Sequence, residues 1–348
     1  MNISHNKPNI SHTAQAAYDV IKSGQVSAGE KTLELENLWS STVGSESASA
    51  VSSGTSALRL SLQALGVGYG DEIIVPAYSC NSLANAVLSC QAKPILADIN
   101  RNLTIDINSV IDKITNRTKA IIVVHTFGSH SDIPSGLMTT NLRRTIPVIE
   151  DMAHGVFRQQ AKIAVSSFAP TKLIGSIGGG IVSGSKYYMD KIKDLRCCED
   201  KAPSIKQNDL PNDVMSAVAV EQLKRLDEIL LKRNEAADNY DVFDDLPAEI
   251  VPVCYGQYRF TIRLKNHLAA DISKAMQEKG IYCEQPVWDY RYAPDNDLMA
   301  VDPNYINHWE DLPNTDEAFD KILSIPFWET ITPEEQETVV RVLGECLK

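Results

Sequence analysis

Lys172 lies in "VSSFAPTKLIGSIGGG", between a short β-like run ending at Pro170-Thr171 and the glycine triplet Gly178–Gly180. A lysine by itself is usually a solvated side chain. Three other features give this one chemical company. "SSGTSAL" (52–58) is a small-residue turn opening a helix. Its free backbone N–H groups and dipole suit a phosphate, and Thr55 and Ser56 add hydroxyls. "VIEDMAHG" (148–155) is an apolar run ending in acids and a histidine. Asp151 and His154 therefore fall at a strand's carboxyl end, where open α/β sheets bind ligands. Ser167 precedes Lys172 by five residues on the strand that delivers it. A phosphate cradle, a strand-end carboxylate and a lysine on a later strand are what pyridoxal phosphate (PLP) requires. The lysine forms a Schiff base with the aldehyde, and the carboxylate keeps the pyridine nitrogen protonated so that the ring accepts electrons.

These residues need a scaffold, and the surrounding pattern supplies one. "TSALRLSLQALG" (55–66) carries Leu58, Leu62 and Leu65 at helical spacing before Gly66. "DEIIVPAYS" (71–79), "KPILADI" (93–99), "KAIIVVHTFG" (119–128) and "TIPVIEDMA" (145–153) read as strands, with helical "NSLANAVLSC" (81–90) and "DINSVIDKI" (106–114) between them. The alternation predicts a mostly parallel sheet covered on both faces. Residues 217–243 read as one long amphipathic helix. "YRFTIRL" (258–264) reads as a half-exposed strand, 268–280 as a helix with a glycine stop, and 332–347 as a closing helix. The expected organisation is an N-terminal segment and large α/β domain over 1–230, with a smaller C-terminal α/β domain over 231–348.

The 348 residues carry a net charge of -12, with 43% hydrophobic and 22% charged residues, as in an ordinary globular protein. The acidic balance, with no basic stripe, argues against nucleic-acid binding. The opening "MNISHNKPNISHTAQ" does not read as a secretory leader, and no apolar run is long enough to span a bilayer. Seven scattered cysteines, only Cys197 and Cys198 being close in sequence, match no zinc spacing and read as reduced thiols of a cytoplasmic protein. No metal site is expected. A dinucleotide-binding protein is excluded because no G-x-G-x-x-G follows the first strand.

Taken together, "SSGTSAL", "LGVGYGDEIIVPAYS", "KPILADI", "VVHTFG", "IEDMAHG", "SFAPTK" with its glycine run, and "EQLKRLDEI" resemble the DegT/StrS family of PLP-dependent sugar aminotransferases. The likeness runs from "PNIS" near the start to "LPNTDEAFDKILSIPFWETITPEE" (312–335). It implies the aspartate aminotransferase-like fold (fold type I) and transfer of an amino group, with glutamate as donor, to a nucleotide-linked keto sugar. It further implies that Lys172 is the Schiff-base lysine and acid–base, that Asp151 pairs with the pyridine nitrogen, and that His154 lies near the ring oxygen. Thr55, Ser56 and Ser167 would hold the phosphate. Asn208 would reach the phosphate of a partner subunit, which makes the expected assembly a homodimer. Cys80 stands where the family usually stacks an aromatic residue on the cofactor, Leu210 replaces an arginine, and "EQPVWDYRY" (284–292) replaces a histidine-containing stretch. These departures leave open a smaller keto substrate, or a low-turnover PLP-binding regulator, beside the sugar reading. The altered pocket centres on Cys80, Leu210 and Trp288.

Overall fold

The computed structural model describes residues 2–131, 136–139, 144–197, 206–240, 246–251, 258–287 and 312–348. The apolar runs pair into one sheet, in the order β1 (Ser47–Val51), β8 (Gly180–Gly184), β7 (Ile163–Ser167), β6 (Arg144–Asp151), β4 (Thr118–Val124), β2 (Glu72–Pro76) and β3 (Lys93–Ala97). From β3 through β7 the neighbours are parallel, as the strand–helix alternation predicts. β8 runs antiparallel to both β7 and β1. The lysine-bearing connection from β7 to β8 contains no helix, and a parallel return needs a crossover of a dozen or more residues, usually helical. A short strand, β5 (Gly136–Thr139), pairs antiparallel with β6.

Helices cover both faces. α3 (Gly54–Ala64), α4 (Ser82–Ser89) and α6 (Lys186–Leu195) bury Leu58, Leu62, Val87 and Ile192 against Ile73, Val75 and Ile122. On the opposite face α2 (Glu30–Val43) and α7 (Asp213–Lys224) bury Leu35, Trp39, Val220 and Leu223 against Ala50 and Ile181. One carboxylate ties these two helices together across the sequence. Asp213 accepts hydrogen bonds from the Gly29 and Thr32 N–H groups (2.8 and 2.9 Å) and the Thr32 hydroxyl (2.7 Å). It therefore caps α2 from the start of α7.

A second, antiparallel sheet contains β11 (Ile322–Ile325), β10 (Phe260–Leu264) and β9 (Ala248–Ile250). It has its own core with α9 (Ala269–Glu278) and α11 (Pro333–Cys346), built on Ile262, Ile272, Met276, Leu323, Val339 and Leu343. Ile3 is buried in this core and bridges to Ile281, so the N-terminal segment packs with the C-terminal elements.

Two local expectations change. The long helix is broken at Arg225 (φ -98°, ψ 10°), with α7 ending at Lys224 and α8 running Leu226–Asp238; residues 241–243 lie outside the described segments. β10 is not half-exposed, because β9 and β11 flank it and all five of its residues are buried. Of its polar members, Arg263 bonds the Arg101 carbonyl (3.2 Å) and pairs with Glu317 (3.0 Å), while the buried Thr261 hydroxyl has no hydrogen-bond partner among the described residues. The described cysteines are all free, and Cys198 and Cys254 lie outside the described residues.

Candidate active site

Asp151 ends β6 opposite Val165 of β7, so the carboxylate and the lysine loop leave the sheet at the same, carboxyl end of the strands. The loop folds on itself. The Lys172 N–H donates to the Ala169 carbonyl (2.9 Å), the Ser176 N–H to Phe168 (2.9 Å), and the Ser176 hydroxyl to the Met215 carbonyl (2.9 Å). The half-buried Lys172 directs Nζ over the Tyr258 ring, 4.4 Å from its centre. The glycine run serves close packing of neighbouring elements. A Cβ on Gly180 would meet the Ser53 carbonyl at 2.5 Å, and one on Gly179 (φ +107°) would meet Met215 Sδ at 2.5 Å. These glycines bring the first turn of α3 and the start of α7 against the lysine loop.

Asp151 is 5% exposed and accepts the Ala153 N–H at 2.9 Å. Burial pushes its carboxyl up, against the opposing pull of that N–H and of the Lys172 charge. His154 stacks on Tyr258 (centroids 4.5 Å, 15° between planes) and on Phe127 (5.4 Å, 18°). Its Nδ1 accepts the Phe127 N–H at 3.2 Å, which assigns the ring proton to Nε2. Burial first, then the charges of Lys172 and Arg259, hold its pKa well below the usual histidine value, so the ring is neutral. Phe127 has φ 53°, a left-handed conformation costing roughly 1–2 kcal/mol for a side-chain-bearing residue. The packing of its ring against Tyr78, His154 and Tyr258 holds it there.

At the first turn of α3, Ser53 caps the helix by accepting the Ser56 N–H (3.1 Å). The Ser56 hydroxyl donates to buried Asp209 (2.6 Å), which also takes Ser52 (3.2 Å) and Arg59. Thr55 is exposed on that turn. Ser167 abuts it: a Cβ on Gly54 would stand 2.8 Å from the Ser167 Cβ. The helix N-terminus, Thr55 and Ser167 thus converge, while the Ser56 hydroxyl faces the Asp209–Arg59 pair. Asn208 is exposed beside Asp209, and Leu210 is half-buried. Cys80 is exposed and lines the same cavity as Lys172, His154 and Phe127. Trp288 and the rest of 288–292 lie outside the described residues.

The sequence reading missed the wall opposite the lysine. Tyr258 and Arg259 stand at the head of β10 and line the Lys172 cavity. Arg233 of α8, buried over the Phe327 ring (4.7 Å), donates to the Tyr258 carbonyl at 2.5 Å and fixes that wall. The aromatic–arginine pair before an apolar strand was the available signal, but its alternation suggested only a strand.

The residues fit PLP. Asp151 is a carboxylate that burial disfavours in its charged form and that a cationic ring nitrogen would stabilise. An amine faces an aromatic-walled cavity, and a helix N-terminus with nearby hydroxyls suits an anion. Comparison with known proteins agrees. The family model for the DegT/DnrJ/EryC1/StrS aminotransferase family matches residues 9–344. The spore coat polysaccharide biosynthesis protein SpsC of Bacillus subtilis is 28% identical, with 96% of this chain and 94% of SpsC covered. NtdA from Bacillus subtilis, solved with bound cofactor PMP, superposes with a TM-score of 0.83 at 25% identity, covering 97% of this chain and 82% of that one. PseC of Helicobacter pylori, an aminotransferase involved in pseudoaminic acid biosynthesis, gives 0.84 at 21% identity, covering 100% and 99%. The chain belongs to the DegT/DnrJ/EryC1/StrS aminotransferase family, whose fold is the aspartate aminotransferase-like α/β fold and whose cofactor is pyridoxal phosphate.

Proposed function

We propose that this aminotransferase moves an amino group from glutamate to a nucleotide-linked keto sugar, and that it does so as a homodimer. The observation that carries the reading is that Lys172 and His154 line one aromatic-walled cavity at the carboxyl end of the parallel strands, where buried Asp151 ends β6. The names of the relatives support a sugar acceptor: SpsC is a spore coat polysaccharide biosynthesis protein, and PseC is involved in pseudoaminic acid biosynthesis. When bound, pyridoxal phosphate supplies the carbonyl that takes up nitrogen and the ring that accepts the electron pair left on carbon.

The chain's own groups do the rest. Lys172 Nζ would hold the cofactor and move the proton between the substrate carbon and the cofactor. Asp151 would keep a proton on the ring nitrogen, its burial strengthening that charge pair. Neutral His154, with its proton on Nε2, would donate a hydrogen bond to the ring oxygen. Thr55, Ser167 and the first-turn N–H groups of α3 would hold the phosphate, and Ser56, whose hydroxyl donates to Asp209, would join them. Cys80 would pack on the ring face. Exposed Asn208 would reach the phosphate of a second protomer. The cofactor-binding domain would lie within residues 1–230 and the small one over 231–348, with the start of the chain, at Ile3, packed into the small one's core. The free thiols accord with a reducing cytoplasm.

Absorption spectroscopy tests the reading. Purified protein should show the visible band of the lysine-bound cofactor, and glutamate should bleach it; Lys172→Ala should lack the band. A band that survives Lys172→Ala would remove that residue from the mechanism. A wild-type band that no amino acid bleaches would remove the aminotransferase reading.

A further inference from the structure

Among the described residues, two charged side chains line the cavity in front of the lysine: Lys172 and Arg259. Both address the same aromatic ring. Lys172 Nζ stands 4.4 Å from the Tyr258 centroid, and the Arg259 guanidinium carbon 5.2 Å. The arginine's charge is felt at the site. Burial pushes the Tyr258 phenol up, but the Lys172 and Arg259 charges outweigh it and leave the pKa lowered.

Arg259 has one carboxylate partner among the described residues. Its side chain is 18% exposed, and that partner, Glu284, is 51% exposed and contacted through Nη1 alone at 3.1 Å. The same Nη1 meets the His5 ring at 3.2 Å, and the side chain also bonds the Tyr258 side chain. Glu284 is also shared with His5 at 3.2 Å. Burial and the neighbouring Arg259 charge hold His5 down at about 4, so His5 is neutral and offers Glu284 no charge. A half-exposed, one-pronged ion pair contributes little, whereas a guanidinium taking a carboxylate through two parallel N–H groups makes a strong, oriented contact.

The position selects the ligand. In an amino acid donor the α-carboxylate is bonded to the carbon that reacts beside Lys172. Its anchor must therefore border the lysine itself. The phosphates of a nucleotide-linked sugar lie beyond the sugar ring, outside the reach of a group sharing one aromatic ring with Lys172. We infer that Arg259 is the carboxylate anchor for the amino donor, taking it bidentately in exchange for Glu284, from the same chain that supplies Lys172. The identity of the ligand rests on the aminotransferase reading; the anion site does not.

Calorimetric titration of the holoenzyme with glutarate, an unreactive dicarboxylate, reads the site apart from turnover. Arg259→Gln should weaken glutarate roughly 10- to 100-fold. Arg259→Lys should recover part of that loss, and Glu284→Gln should bind as tightly as wild type or more tightly. Rapid-mixing loading with glutamate should show a matching rise in the half-saturating concentration, with a smaller change in maximal rate. The assignment falls if glutarate ignores the wild-type protein or binds Arg259→Gln equally well. It falls also if Glu284→Gln loses glutarate to the same extent, since the arginine would then act through its ion pair. Glutarate binding that depends on Arg259, in a protein that no amino acid bleaches, would refute the donor reading and leave an anion site standing.

Discussion

Asp151→Asn should make the cofactor-free protein more stable and the loaded enzyme far slower. The carboxylate is 5% exposed, and among the described residues its one hydrogen bond comes from the Ala153 N–H at 2.9 Å. An asparagine oxygen can accept the same bond, so the substitution removes charge and little else. Burial raises the folded-state pKa above the unfolded value. The folded chain therefore binds this proton more strongly, and ionising the group destabilises the fold at every pH above the unfolded value. The Lys172 charge offsets part of that cost, which leaves about 1–2 kcal/mol to be regained by the amide. That corresponds to a rise of roughly 1–3 °C in the melting midpoint of cofactor-free protein at neutral pH. The gain should vanish below the ordinary carboxylate range, where wild type is neutral as well. If Asp151 pairs with the ring nitrogen as proposed, the same change removes that partner from the loaded enzyme, and amino transfer should slow by about 10²–10³-fold. Differential scanning fluorimetry across pH and glutamate-loading kinetics read the two halves. A cofactor-free midpoint at pH 7 that is unchanged or lowered would show that the carboxylate is already compensated. The argument for the pyridine pairing would then fail.

Two further outcomes follow from the same geometry. Asp213→Ala should cost about 1–3 kcal/mol, because it uncaps α2 and takes the acceptor from the Gly29, Lys31 and Thr32 N–H groups. Burial pushes the Asp213 carboxyl up, but bonds from Thr32, Lys31 and Gly29 outweigh it and hold the pKa below the usual value. The charge-dependent part of its stabilisation is thus present above the unfolded carboxylate pKa and is lost as pH falls through the depressed folded value. A thermal midpoint at pH 7 equal to wild type would sink this account. Asn208→Ala should weaken cofactor retention about 10-fold without changing the melting midpoint of the cofactor-free chain, since the side chain is exposed. Fluorescence titration of cofactor, with sedimentation to fix the assembly state, checks it, and unchanged retention would remove Asn208 from the partner's phosphate site.

What could be read from the sequence divides by the range of the interaction that decides it. The parallel strands were legible because each carries its own β-branched run, and a strand's end marks where Asp151 and His154 emerge. Lys172 was legible because the Pro-Thr before it and the glycines after it punctuate the chain locally. The antiparallel β8 was not, since its direction follows from the missing helix in the lysine loop, and nothing inside "GIVSG" records that. Nor was the use of Ser56, whose hydroxyl answers to Asp209 at a separation of 153 residues. The break at Arg225 escaped periodicity because the helical spacing continues on both sides of it. Tyr258 and Arg259 escaped for the strongest form of the same reason. They lie in the strand run of a second sheet, and only the anchoring of the Tyr258 carbonyl by Arg233 turns that run toward a lysine 86 residues earlier in the chain. A motif can announce the residue proposed for the bond chemistry, because its neighbours in sequence are also its supports. The residue proposed to orient the donor is brought by a different part of the fold, and such a role becomes visible only where the two parts meet.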